Sequence, residues 1–199
     1  MTDYLLKRLS IISFIGVFAI PFLAALLILK TGFWQDLPKS HAGKMIDPPV
    51  SFTDLVMPTS APTAPTWKII YLLPEACLES CQAHLWQLKQ IHTALGVDRS
   101  RVSRWMIQTP NTSNVAAHTQ KDLELSVIAG NTQKITSLLI HQFPKDLSEG
   151  SQGKILIADP LGNIVLGYST QLNDEAHILA QGKAILTDIR QLLKLSRIG

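Results

Sequence analysis

Residues 67–96 read WKIIYLLPEACLESCQAHLWQLKQIHTALG, and the order of features in this stretch decides the fold. Trp67 to Leu73 is a short apolar run of β-forming residues halted by Pro74, the pattern of a buried strand. From Cys77 to Leu95 the apolar positions switch to helical spacing, with Leu78, Cys81, Leu85, Leu88, Ile91, His92 and Leu95 on one broad face and Gly96 closing the segment. A strand passing into a helix, with cysteines at the junction, sets the frame for everything downstream.

Working outward, Arg101–Thr109 reads as a second strand and Leu123–Ala129 as a third. A helix is predicted from just after Asn131 to about Phe143. KILIAD and IVLGY, within Lys154–Tyr168, flank the turn sequence Pro160-Leu161-Gly162-Asn163 and predict a β-hairpin. Asn173 is placed to cap a last helix, with Asp174 and Glu175 in its first turn. That helix runs to about Ser196 and buries Ile178, Ile185, Ile189 and Leu192. The predicted fold is α/β, a thioredoxin-like mixed sheet with helices on both faces, over residues 67–199.

The rest of the chain is a different kind of sequence. Of its 199 residues, 46% are hydrophobic and only 17% charged, which excludes intrinsic disorder as the main state. The surplus lies in Ile11–Leu29, nineteen uncharged residues that span about 28 Å as a helix, close to the bilayer core. The run is longer than a signal-peptide core and no small-residue cleavage site follows it, so it reads as an uncleaved anchor. Residues 1–10 form a short cytoplasmic tail and residues 30–66 a tether rich in proline. Within the tether, Met45–Leu55 is apolar enough to dock as an edge strand. Lys7 and Arg8 precede the span and Lys30, Lys39 and Lys44 follow it, so counting basic residues does not settle the side. The short tail with its basic pair next to the apolar run resembles a signal anchor, and on that ground the following domain is expected on the periplasmic side of an inner membrane. Beyond residue 30 the charge nearly cancels, 15 basic against 14 acidic, so no basic patch for nucleic acid is present. Glycine loops that cradle phosphate, a serine nucleophile elbow and HExxH are missing too.

Chemistry concentrates at Cys77 and Cys81, the chain's two cysteines, four residues apart at the predicted helix start. Free N–H groups and the dipole of a helix N-terminus lower a thiol's pKa, making Cys77 the expected nucleophile. The pair can cycle between dithiol and disulfide, with Cys81 resolving, or two thiolates can clamp Cu(I). His84 follows Cys81 by three residues and is a candidate third ligand. His41, His92, His118 and His177 show no partner pattern. Trp67, Trp86 and Trp105 suit packing or docking, and Trp34 an interfacial belt.

The strand–CxxxC–helix stretch and ILIADPLGNIV (155–165) together resemble the SCO/SenC family of copper-handling, thioredoxin-like proteins. Within it, the chain is most similar to membrane-anchored proteins encoded beside cytochrome c oxidase genes in proteobacteria. The resemblance implies Cu(I) delivery to an oxidase copper centre, or thiol exchange with it, through Cys77 and Cys81. It also implies partners among oxidase subunits and their assembly factors. The family's third copper ligand is a histidine just before the hairpin, where this chain has SEGSQGK (148–154). His141, upstream, is therefore the other candidate ligand. A metal-free thiol–disulfide oxidoreductase and a scaffold without chemistry are the alternative functions.

Overall fold

The computed structural model describes residues 2–31, 41–57, 64–77, 79–110, 112, 124–144, 153–170 and 175–196. The chain divides into two units, Met1–Ser40 and His41–Gly199.

The first unit carries helix α1, Thr2–Thr31. Its window Ser13–Lys30 is long and apolar enough to cross a membrane. Phe14, Phe18, Phe22 and Leu27 are all more than 60% exposed. An apolar window exposed on every side is suited to lipid rather than water. Pro21 stands inside it without ending it.

The second unit is built on one six-stranded sheet. Its elements are β1 (Lys44–Ser51), α2 (Phe52–Leu55), β2 (Trp67–Leu72), α3 (Glu79–Ala94), a 3-10 turn (Gly96–Arg101), β3 (Val102–Gln108), β4 (Ser126–Ala129), α4 (Thr132–Gln142), β5 (Lys154–Ala158), β6 (Asn163–Ser169) and α5 (Glu175–Leu195). The strand order is β1-β6-β5-β2-β3-β4. β2, β3 and β4 are parallel, whereas β5 runs antiparallel to β2 and β6, and β1 antiparallel to β6.

Side chains alternate across the pleat. Ile69 and Tyr71 of β2 join Leu85 and Leu88 of α3 and Ile185 and Ile189 of α5 in one core. Ile70 and Leu72 point the other way, to Phe52, Leu55, Ile135 and Leu138 of α2 and α4. Helices thus cover both faces, as the mixed-sheet expectation required. Asp159 closes the hairpin by accepting from the Asn163 N–H at 2.7 Å. Gly162 occupies the left-handed region there, at φ 93°, which a side chain disfavours.

Three expectations need correcting. Cys77 lies ahead of α3 rather than inside it, since the helix begins at Glu79; Leu78 is outside the described residues. The third strand is only Ser126–Ala129, because Glu124 takes a positive φ of 52° that no strand accommodates; Leu123 is outside the described residues. On α5 the buried residues are Gly182, Ile185, Asp188, Ile189 and Leu193, whereas Ile178 and Leu192 are half-buried. Asn173 and Asp174, the predicted start of that helix, fall outside the described residues, as do 32–40 and 58–63 of the tether. Inside the tether, Lys44–Ser51 forms β1 on the sheet edge, followed by the buried Phe52 and Leu55. Pro48 and Pro49 are tolerable only because β1 is an edge strand, and the pairing is irregular between Met45 and Val50.

Candidate functional site

β2 ends at Leu72, and Leu73-Pro74-Glu75-Ala76 carries the chain from the C-terminal end of this central strand to Cys77. Cys81 follows in the first turn of α3. The two are joined in a disulfide, with Cα atoms 5.1 Å apart. They are unequal: Cys81 is 2% exposed and set in the core, whereas Cys77 is half-buried at its margin. An attacking thiol must meet a partner and a resolving thiol need not. Of the two sulfurs, that of Cys77 is the one nearer solvent.

His84 is buried at 1% exposure. Its Nδ1–H donates to the Ser80 carbonyl at 2.6 Å, and its ring stacks on Tyr71, centroids 6.3 Å apart. Burial pulls its pKa below the usual histidine value, while the Ser80 carbonyl and the Gln181 side chain pull the other way. His84 Nε2, Gln181 Oε1 and Tyr71 Oη are all buried and make no hydrogen bond. Burial drives the Tyr71 hydroxyl well above the usual tyrosine range, so it stays protonated. Thr170, close to Tyr71, donates instead to the Gly153 carbonyl. A Cβ on Gly153 would lie 2.5 Å from Tyr71 Oη, so only glycine fits there.

Gln181 also lines a cleft of about 400 Å³ with Lys44, Phe143, Tyr168 and Ser169. Strand pairing puts this cleft at the disulfide end of the sheet: Leu72 opposes Lys154, Lys154 opposes Ser169, and Gly167 opposes Lys44.

His141 lies elsewhere. It is exposed at the end of α4, on the other face of the sheet, in a groove with Asp47 and Lys134. Among the described residues no group of three or more His, Cys, Asp or Glu could hold a metal ion. The sulfurs are bonded to each other, and His84 spends one nitrogen on Ser80 and turns the other toward Gln181. Among the described residues this donor set lacks a third free ligand for copper. Of the remaining histidines, His92 donates to the Val102 carbonyl at 2.8 Å and His41 to that of Gly43 at 2.7 Å, while His177 is exposed on α5. His118 is outside the described residues. Trp67 is buried, Trp105 half-buried, and Trp86 55% exposed beneath the Lys89 ammonium.

Sequence reasoning missed Tyr71 and Gln181. Tyr71 reads as one more β-former in an apolar strand, and nothing local marks Gln181. It also missed Asp188, for which a signal existed: a carboxylate three residues after Ile185, on the apolar stripe of α5.

A CxxxC pair at the junction of β2 and α3 in a mixed, helix-flanked sheet defines a thioredoxin-like protein. The family model described as "Transmembrane-like, thioredoxin-like, C-terminal domain" matches residues 67–196, and the chain belongs to that family. Similar solved structures include BsSco, a member of the Sco family of cytochrome c oxidase assembly proteins in which a disulfide switch was identified (11% identity, 80% of this chain and 99% of that one, TM-score 0.48). Others are apo Sco1 from Thermus thermophilus (13% identity, 78% and 99%, TM-score 0.49) and peroxiredoxin Q from Xanthomonas campestris (12% identity, 77% and 99%, TM-score 0.40). No curated protein matches the sequence.

Proposed function

We propose that the chain is a membrane-anchored thiol–disulfide exchange protein in which Cys77 attacks and Cys81 resolves. The observation that carries this reading is the unequal burial of the two sulfurs within one disulfide at the head of α3. In the reduced chain the Cys77 thiolate attacks one sulfur of a substrate disulfide. That bond breaks, a first substrate thiolate leaves, and a mixed disulfide forms. Cys81, deprotonated, then attacks Cys77 Sγ and expels the second substrate thiolate. The substrate gains two electrons and, from the thiols and solvent, two protons; the chain is left as the disulfide seen here.

The short basic tail ahead of α1 supports a domain on the periplasmic side of the inner membrane, where a stable oxidised pair persists. The SCO-like motifs direct the substrate toward a cysteine pair of a cytochrome c oxidase subunit or of its assembly factors. The decisive experiment is trapping with glutathione disulfide. The reduced full-length chain in detergent micelles, carrying Cys81→Ser, should accumulate a mixed disulfide at Cys77, and the Cys77→Ser chain should not. Equal trapping in both, or none in either, overturns the reading. A Cu(I) competition titration of the reduced chain tests the metal alternative, for which a third donor is lacking among the described residues.

A further inference from the structure

Helices α3 and α5 lie side by side. Gln87 of α3 donates to the Ile178 carbonyl of α5, and Arg190 of α5 donates to the Ala94 carbonyl of α3. Both helices bury one face in the same core. On the opposite face of α3, Trp86 is 55% exposed, with the Lys89 ammonium 5.4 Å from its ring centre. Leu179, 66% exposed, flanks the Gln87–Ile178 contact from the α5 side. Leu179, Lys183, Leu186 and Arg190 then recur at helical spacing along α5, on the shoulder that adjoins α3.

Charge on this face has one sign. From Trp86 to Val97 the chain carries no acidic residue, and from Ala176 to Ser196 only Asp188, which is buried and held by Tyr168, Ala42 and Gly43. Lys183 and Arg190 are exposed. The chain beyond residue 30 is nearly neutral, so this is a matter of placement rather than composition. A tryptophan beside basic side chains suits the headgroup level of a bilayer, the ring below the phosphates and the cations among them. Such a surface is within reach. Nine residues, 32–40, separate the end of α1 from the start of the second unit. A chain extends at most about 3.6 Å per residue, so a spanning α1 tethers His41 within about 35 Å of the lipid.

We propose that this face docks on anionic lipid: Trp86 and Leu179 enter the interfacial layer, and Lys89, Lys183 and Arg190 lie against lipid phosphates. The inference rests on the anchor reading of α1 and is independent of the exchange chemistry. One tryptophan and one leucine bind weakly alone, and the tether makes the contact effective by holding its local concentration high. The disulfide stands at the head of the same helix, so docking fixes the direction in which Cys77 is presented.

The full-length chain in lipid nanodiscs tests this, with bromine on the upper acyl carbons as a contact quencher of tryptophan. Subtracting the emission of the Trp86→Phe chain isolates the Trp86 signal. In discs containing phosphatidylglycerol that signal should be quenched by brominated lipid and shielded from aqueous iodide. Lys183→Glu changes two charges at one exposed position and should lower the docked-to-undocked ratio by about 25-fold, at roughly fivefold per charge. Discs of phosphatidylcholine alone should weaken the quenching in the same sense. A Trp86 signal untouched by bromine and open to iodide overturns the inference and leaves the face to a protein partner. Quenching indifferent to both Lys183→Glu and lipid charge overturns it too, because anionic lipid is then not what holds the face. If Trp34, isolated in the same way with Trp34→Phe, also escapes bromine, the anchor reading falls with it.

Discussion

Tyr168 on β6 donates its hydroxyl proton to the carboxylate of Asp188 on α5 at 2.7 Å, and both side chains are buried. The same carboxylate accepts from the Ala42 and Gly43 N–H groups at 2.9 and 3.0 Å. Three donors thus converge on one buried anion, which fastens the beginning of the second unit to its last helix just ahead of β1.

Removing the carboxylate leaves the Tyr168 hydroxyl and the buried Gly43 N–H without a partner. Each orphaned group costs about 1–3 kcal/mol. Asp188→Ala should therefore lower the unfolding free energy by roughly 3 kcal/mol in urea titrations followed by tryptophan fluorescence. A loss below about 0.5 kcal/mol would show that the clamp contributes nothing.

The contrast between this clamp and the Cys pair shows what a sequence discloses. Cys77 and Cys81 are four residues apart and the hairpin turn at Asp159–Asn163 spans five. Local spacing determines both, and both were readable. Asp188 meets Gly43 across 145 positions, and Gln181 finds His84 only once α5 packs on α3. No periodicity encodes such a meeting. Lys68 and Lys154 are hidden from sequence for another reason: each is charged yet at most 3% exposed. Lys68 satisfies its ammonium on the Thr66 carbonyl at 2.9 Å, and Lys154 lies over the Phe143 ring.

The disulfide closes a very short loop, and in the chain-entropy account such a loop restricts the unfolded state by only about 2 kcal/mol. Cys77→Ala/Cys81→Ala should accordingly fold, losing no more than roughly that amount, while losing all exchange with glutathione disulfide. If the double variant fails to fold, the pair is a structural staple and the exchange reading weakens.

Stability should fall on acidification. Burial sets the folded pKa of His84 below the unfolded value of 6.5. Burial and the nearby Arg104 and Arg99 do the same for His92. The unfolded chain then takes up protons near pH 6.5 that the folded chain refuses. The stabilisation is full above that pH and is lost as pH falls toward the folded values. Thermal melts of the oxidised chain at pH 7.5 and pH 5 should show the drop, and His84→Gln should flatten it. Identical slopes in the two proteins would remove His84 from the account.

Tyr71 and Gly153 provide the last and least intuitive test. Tyr71 Oη is buried without a hydrogen bond, so Tyr71→Phe discards an unsatisfied group and should be close to neutral. Gly153→Ala is another matter, because its Cβ would sit 2.5 Å from that oxygen and 2.8 Å from the ring. The ring cannot yield, being fully buried and stacked on His84. Overpacking of this kind costs about 1–3 kcal/mol. In the double variant the nearest clash disappears with the oxygen while the ring carbons stay close, so Tyr71→Phe should recover part of the loss. A double-mutant cycle in urea reads this directly, with a coupling of at least about 0.5 kcal/mol expected between the two positions. Strict additivity would mean that the Gly153 backbone shifts aside, and that Tyr71 is not what demands a glycine there.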